Sequence, residues 1–234
     1  MSSELRFEGG GRSATLTIKE SPRAKVMRLR VDHRTGTVLL TLPRRASRRR
    51  ALEWVAGQRG WIEETLAKMP VRQPLGPGAV LPFRGEEVAV DWAPGRPRTV
   101  KREEGRIVAG GPEENLEARL LRWLRREALD LLAAETAEFA EKAGVKVDRV
   151  SVGDPVSRWG SCSSAGAIRY SWRLILAPDF VRRATVAHEV AHRVHMNHSP
   201  RFHALVEALL GADPRPARLW LRRSGLLLHR IGAA

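Results

Sequence analysis

Thr185-Val-Ala-His-Glu-Val-Ala-His192 is the stretch whose reading decides this chain. On a helix, residues four apart lie one turn apart on the same face. His188 and His192 can therefore aim their ring nitrogens at one metal ion. Glu189 is turned about 100° around the helix from His188, beside such an ion rather than on it. That is where a general base for an activated water is needed. Ala187, Val190, Ala191 and Val194 recur at helical spacing and leave the histidines on a separate face. Pro178-Asp179 suits a helix start, where proline loses no hydrogen bond and a carboxylate meets the positive end of the dipole. The box points to a zinc hydrolase, with peptide bonds as the foremost substrate.

A catalytic zinc takes three protein ligands and keeps one position open. Of the seven histidines, five (His188, His192, His195, His198, His203) fall within sixteen residues. His195 lies on nearly the same helix face as the first two, but about 10 Å along the axis from His188. It is therefore expected to face substrate or support the site. A left-handed cap at Asn197 is expected to end the helix, and Ser199-Pro200 reads as the N-cap and first residue of the next one. His198 then falls in the turn and can swing back to the ion, which makes it the expected third ligand. Glu207 and His203, on the following helix, are the reserve candidates.

The run His188-Glu-Val-Ala-His-Arg-Val-His-Met-Asn-His-Ser-Pro-Arg-Phe202 resembles the YgjP-like (DUF45) metallopeptidase family, which is related to the SprT and WLM zincins. Ser157-Arg-Trp-Gly-Ser-Cys-Ser-Ser164, Ile168–Pro178 and Leu81-Pro-Phe-Arg-Gly-Glu86 match the same family. The resemblance implies a zinc-dependent peptidase-like domain with ligands at His188, His192 and His198 and Glu189 as base. Two positions depart from the family pattern: His203 stands where an aromatic residue is usual, and Gly153 where a basic one is. Members of the family are also described as nucleotide pyrophosphatases.

Composition narrows the class. A chain of 234 residues with 43% hydrophobic residues can bury a real core. Cys162 is the one cysteine, so no internal disulfide forms; this fits a reducing cytoplasm, the expected location. Cys162 itself reads as a small loop residue rather than a nucleophile. The first residues lack a basic-then-apolar leader, and no apolar run is long enough to span a membrane. Nothing in the pattern sets an oligomeric state. The net charge is +15, which favours anionic partners such as nucleic acid or phosphate-bearing ligands. The charge is spread over three arginine clusters, at 44–50, 119–126 and 215–223, and only six of the 41 basic residues are lysines.

Along the chain, Ala14–Lys19, Val26–Val31 and Thr37–Leu42 read as strands, with a hairpin turn at Arg34-Thr-Gly36. Ser47–Met69 reads as one helix and Pro70–Gly78 as a connector; Val80–Trp92 and Thr99–Val108 return to strand character. A long helix is expected from Gly111-Pro112 to about Lys142, stopping near Gly144. Val147–Val152 is a strand. Ile168–Leu176 alternates, with Ile168, Tyr170, Trp172 and Leu174 on one face, and is expected to be the edge strand along which an extended peptide docks. No internal repeat is visible. The expectation is an α+β fold: a β-rich region with one helix over residues 1–110, then a zincin-like domain over 111–234 that carries the box.

In the expected mechanism zinc activates water, and Glu189 accepts its proton and passes it to the leaving amine. Tyr170, His195, Arg158 and Arg173 are candidates for a second electrophile or substrate contact, and Asp154 for orienting a ligand imidazole. Two rival readings are a metal-dependent nucleoside triphosphate pyrophosphatase, whose arginines would grip phosphate, and a nucleic-acid-associated protein with structural zinc. The histidine box favours zinc over magnesium, which prefers oxygen ligands.

Overall fold

The computed structural model describes residues 5–32, 35–69, 71, 73–155 and 157–232. The chain divides into two compact units, over residues 1–71 and 72–233. In the first, β1 (Arg6–Gly9), β2 (Arg12–Ser21), β3 (Arg28–Val31) and β4 (Val38–Pro43) form one sheet in the order β1-β2-β4-β3. β2 and β4 run parallel and the outer pairs antiparallel. Val31 pairs with Val38, so β3 and β4 are connected as a hairpin, although Arg34 of the expected turn lies outside the described residues. The single helix expected over 47–69 is two, α1 (Arg48–Gly57) and α2 (Arg59–Ala67), separated at Gln58. Val38, Leu40 and Leu42, alternate residues of β4, bury against Ala51, Val55, Ile62 and Leu66 of the helices. A period of two on the strand thus meets a helical period on its cover.

The second unit opens with β5 (Val80–Phe83), β6 (Glu86–Trp92), β7 (Lys101–Glu103) and β8 (Arg106–Ala109), in the order β5-β6-β8-β7. Again the middle pair is parallel and the outer pairs antiparallel. The two sheets share one topology, a repeat of architecture that has no counterpart in repeated residues. Arg84-Gly85 and Glu104-Gly105 form two-residue hairpin loops, with φ of 56° and 86° in the first and 47° and 77° in the second. Positive φ at both positions is what such a loop needs to match the strand twist.

After a 3₁₀ turn at Glu113–Asn115, α3 (Leu116–Ala143) runs 28 residues to Gly144, whose φ of 64° makes the left-handed cap. A third sheet, of three strands, follows: β9 (Arg149–Gly153), β10 (Gly160–Cys162) and β11 (Ala167–Ser171), in the order β10-β11-β9. The chain then enters α4 (Asp179–Ala191), α5 (Pro200–Leu210) and α6 (Arg215–Leu228).

The fold is α+β with a β-rich N-terminal region, as expected, but several details differ. The β5–β8 sheet belongs to the unit that carries the histidine box, not to the N-terminal one. Phe83 stacks on Trp123 of α3 at 5.4 Å, and the Arg84 amide donates to the carbonyl of Ile175 at 2.7 Å. Gly111-Pro112, read as a boundary, is a strand-to-helix connection inside one core. The alternation over 168–176 is a strand only to Ser171; Trp172–Ile175 form a 3₁₀ turn buried on all sides, Arg173 included. β11 is the central strand, with β10 and β9 at the edges. Among the described residues no helix is long and apolar enough to cross a membrane.

Ion pairs fix α4 in this frame. Arg182, 1% exposed, donates to both carboxylate oxygens of Glu135 on α3, at 2.8 and 3.0 Å, and to Asp179 at 2.7 Å. Asp179 in turn accepts two bonds from Arg84, at 2.7 and 3.2 Å. Removing one partner of a buried pair leaves an uncompensated charge. We therefore expect Arg182→Met to lose about 3–5 kcal/mol of stability in urea denaturation. The Arg84 guanidinium, with Arg182 behind it, holds the Asp179 carboxyl well below its ordinary value of 3.8. Stability from that shift is complete above about pH 4 and is lost as pH falls further. The urea midpoint should drop on acidification below about pH 4, and the drop should be shallower in Arg84→Gln.

Candidate metal centre

α4 has to be buried and polar at once. All of its residues except Asp179, Phe180, Arg183 and His188 are buried. The helix ends at Ala191, sooner than the cap at Asn197 that the sequence suggested. Asn197 is not left-handed; its side chain accepts from the Ser199 amide at 3.4 Å. The residues after Ala191 fold back in turns, with the His195 amide bonded to the Ala191 carbonyl at 2.9 Å. Ser199 caps α5 by accepting from the Phe202 amide at 3.4 Å, with Pro200 as the first helical residue. This is the expected N-cap and first turn.

That reversal carries His198 back over the C-terminal end of α4. One ring nitrogen from each of His188, His192 and His198 lies within 4.8 Å of the others. The Nε2 atoms of His188 and His198 are 3.3 Å apart. Two nitrogens held at 2.0–2.1 Å by a tetrahedral ion would be about 3.3 Å apart, so this pair already has the spacing of a zinc coordination edge. His192 Nδ1 lies 3.1 Å from the His195 carbonyl, which suits donation by Nδ1 and leaves Nε2 as the ligand atom. His195 thus contributes through its backbone. Burial, then the neighbouring imidazoles, pushes the His188 ring down to about 4, and burial also lowers His192. Both are therefore neutral at physiological pH, the state in which imidazole binds a metal. The donor set fits a zinc ion.

Phe202 forms the floor beneath the three rings. It is fully buried, with ring centroids 4.9 Å from His188, 4.5 Å from His192 and 4.8 Å from His198. Glu189 is 5% exposed and sits against Gly160 of β10. A Cβ at Gly160 would collide with Glu189 Oε1 and lie 2.6 Å from its Cγ. Burial pushes the Glu189 carboxyl up to about 7, and Arg158 pulls the other way. Neither Phe202 nor Gly160 was assigned a role from sequence. A glycine inside a strand, beside the box in the fold, is the signal that could have marked Gly160.

A cleft of about 270 Å³ is lined by His188, Glu189, Arg158, His203 and Gly160, among others. Arg158, an exposed side chain, is therefore the second-electrophile candidate that reaches the site. Tyr170 does not: it is fully buried, and its hydroxyl bonds Thr136 at 3.0 Å. Burial drives its pKa above the ordinary value. Arg173 is also fully buried, with Asp154 at 2.8 and 3.2 Å and the carbonyls of Leu228 and Ile231 at 2.6 and 2.7 Å. Asp154, considered for orienting an imidazole, is thus the counter-ion of Arg173. Glu207 is exposed and outside the histidine cluster, and His203 reaches the cleft without joining the cluster. Cys162 lies in β10, and burial raises its pKa, which disfavours the thiolate.

Fold and histidine cluster together define a metallopeptidase domain of the zincin-like class. The chain belongs to the YgjP-like family, whose metallopeptidase-domain model matches residues 25–224. No curated protein and no solved structure matches the chain.

Two substitutions separate floor from base. Phe202→Ala should weaken metal affinity by about tenfold or more, measured by competition with a chelator, because it removes the packing that orients the three imidazoles. Gly160→Ala should keep the metal while displacing Glu189; loss of metal binding in that variant would contradict the packing described.

Proposed function

We propose that the chain hydrolyses peptide bonds, with zinc held by His188, His192 and His198 and with Glu189 as general base. The observation carrying this reading is the convergence of three imidazoles beside one buried carboxylate. Three nitrogen ligands leave a tetrahedral ion one position for water or substrate, as in catalytic rather than structural sites. When bound, zinc would supply Lewis acidity, making water a nucleophile near neutral pH and polarising the carbonyl under attack.

The chain's own groups do the rest. Glu189 takes the proton of the attacking water and gives it to the leaving amine, and its burial raises its proton affinity towards that task. The His195 carbonyl holds His192 in one tautomer, and Phe202 keeps water from beneath the rings. Arg158 stands at the cleft, where negative charge develops. β10 presents an edge beside Glu189, suited to pairing with the backbone of an extended peptide. Among the described residues the histidine triad is the one cluster of metal-ligand type, and no carboxylate set of the kind magnesium prefers accompanies it. This favours peptide over nucleotide hydrolysis.

Elemental analysis of reconstituted protein should find about one zinc per chain in wild type and in Glu189→Gln, and much less in His188→Ala and His198→Ala. Glu189→Gln should lower peptide hydrolysis by about 10²–10⁴-fold. A wild-type chain that takes up no zinc would end this reading.

A further inference from the structure

The cleft beside Glu189 has a composition of its own. Trp159, Val206, Ala217 and Leu221, drawn from the approach to β10, from α5 and from α6, give it apolar walls. Trp159 is seated firmly: its ring lies 2.7 Å from where a Cβ of Gly225 would be, and its centroid is 5.3 Å from that of His229. The wall is therefore built in advance rather than formed around a ligand. Its volume of about 270 Å³ exceeds the roughly 150 Å³ cavity that accepts a benzene ring. Two exposed cations, Arg158 and Arg218, also line it; Arg158 acts on the Glu189 carboxylate and Arg218 on that of Asp213 through space, and no direct ion pair holds either guanidinium among the described residues. Glu189 is the one acidic side chain in the lining, and it lies within the buried part of the site.

We infer that this cleft selects the substrate: it seats a large apolar or aromatic side chain next to the scissile bond, with a carboxylate close by held by Arg218, leaving Arg158 for the charge that develops on the attacked carbonyl. Apolar walls reward burial of the ring, and the exposed Arg218 guanidinium rewards a negative charge at the rim. The carboxylate can come from an acidic neighbouring residue or from a free C-terminus. The inference rests on the peptidase reading only for the word substrate; the cleft's preference is a binding property and can be measured without turnover.

The test uses zinc-loaded, full-length Glu189→Gln protein and four N-acetylated ligands: acetyl-Phe-Asp-amide, acetyl-Ala-Asp-amide, acetyl-Phe-Lys-amide and acetyl-Phe with a free carboxylate. Titration calorimetry should show Phe-Asp-amide binding about tenfold more tightly than Ala-Asp-amide or Phe-Lys-amide. The free acid shows whether a terminal carboxylate serves as well. Adding Leu221→Trp should fill the cleft and erase the advantage of Phe over Ala, with zinc content checking that the site is intact. Adding Arg218→Glu should instead erase the advantage of Asp over Lys. Equal binding of all four ligands, or preferences unmoved by both substitutions, overturns the inference. Selective binding together with a wild-type chain that cleaves no peptide would leave this inference standing and remove the peptidase reading instead.

Discussion

The Arg182–Glu135 ion pair is the constraint on which the rest of the second unit depends. α4 must present two imidazoles and a carboxylate at one end while nearly every other residue on it is buried. Its apolar residues are small or β-branched, chiefly alanine and valine, and a surface that smooth fixes depth better than it fixes rotation or axial position. A bidentate arginine–carboxylate contact fixes both, because its two parallel hydrogen bonds tolerate little sliding. The pair ties α4 to α3, and Asp179 extends the tie through Arg84 to the β5–β6 hairpin. The geometry of the histidines is therefore set more than a turn away from them, by charges that touch no ligand.

From that anchoring, the form of the metal centre follows. A helix can supply ligands at i and i+4, but not a third one to the same ion if it continues straight. α4 stops at Ala191, and the return to α5 is short enough to bring His198 over the helix end. Phe202, on the first turn of α5, then supports all three rings. Termination and support come from one reversal, so any change that lets α4 run on would separate His198 from its partners and withdraw the floor with it.

The parts of the candidate site whose convergence follows from local spacing were legible in the sequence. His188, Glu189 and His192 follow from helical periodicity, and His198 from the Ser-Pro signal of a new helix start. What was not legible depends on elements far apart in sequence. Gly160 looks like any loop glycine until β10 is laid against α4. Arg173 and Asp154 read as possible site residues because their pairing, and the acceptors at Leu228 and Ile231, are contacts over 19 to 58 positions. The alternation across 168–176 fits a strand equally well whether the segment stays extended or, as here, curls into a turn buried on both faces. Period two gives the sides of a strand but not its neighbours, so the central place of β11 was also beyond it. The boundary was misread near Gly111-Pro112 because glycine and proline mark a bend without telling whether it lies between domains or within one.

The pairing of residue 73 with residues 230–232 bears on how the protein is made. The Gln73 amide bonds to the Arg230 carbonyl, and the Gly232 amide bonds back to the Gln73 carbonyl. Arg173 likewise waits on the carbonyls of Leu228 and Ile231. During synthesis the box itself emerges some forty residues before these acceptors do. Arg173 can meet Asp154 early, but two of its acceptors and both Gln73 backbone bonds require residues 228–232, so these closures are late, long-range events. The fold around α4 is in this way completed by bonds that reach past α6, so the second unit cannot settle fully before residues 228–232 have been made.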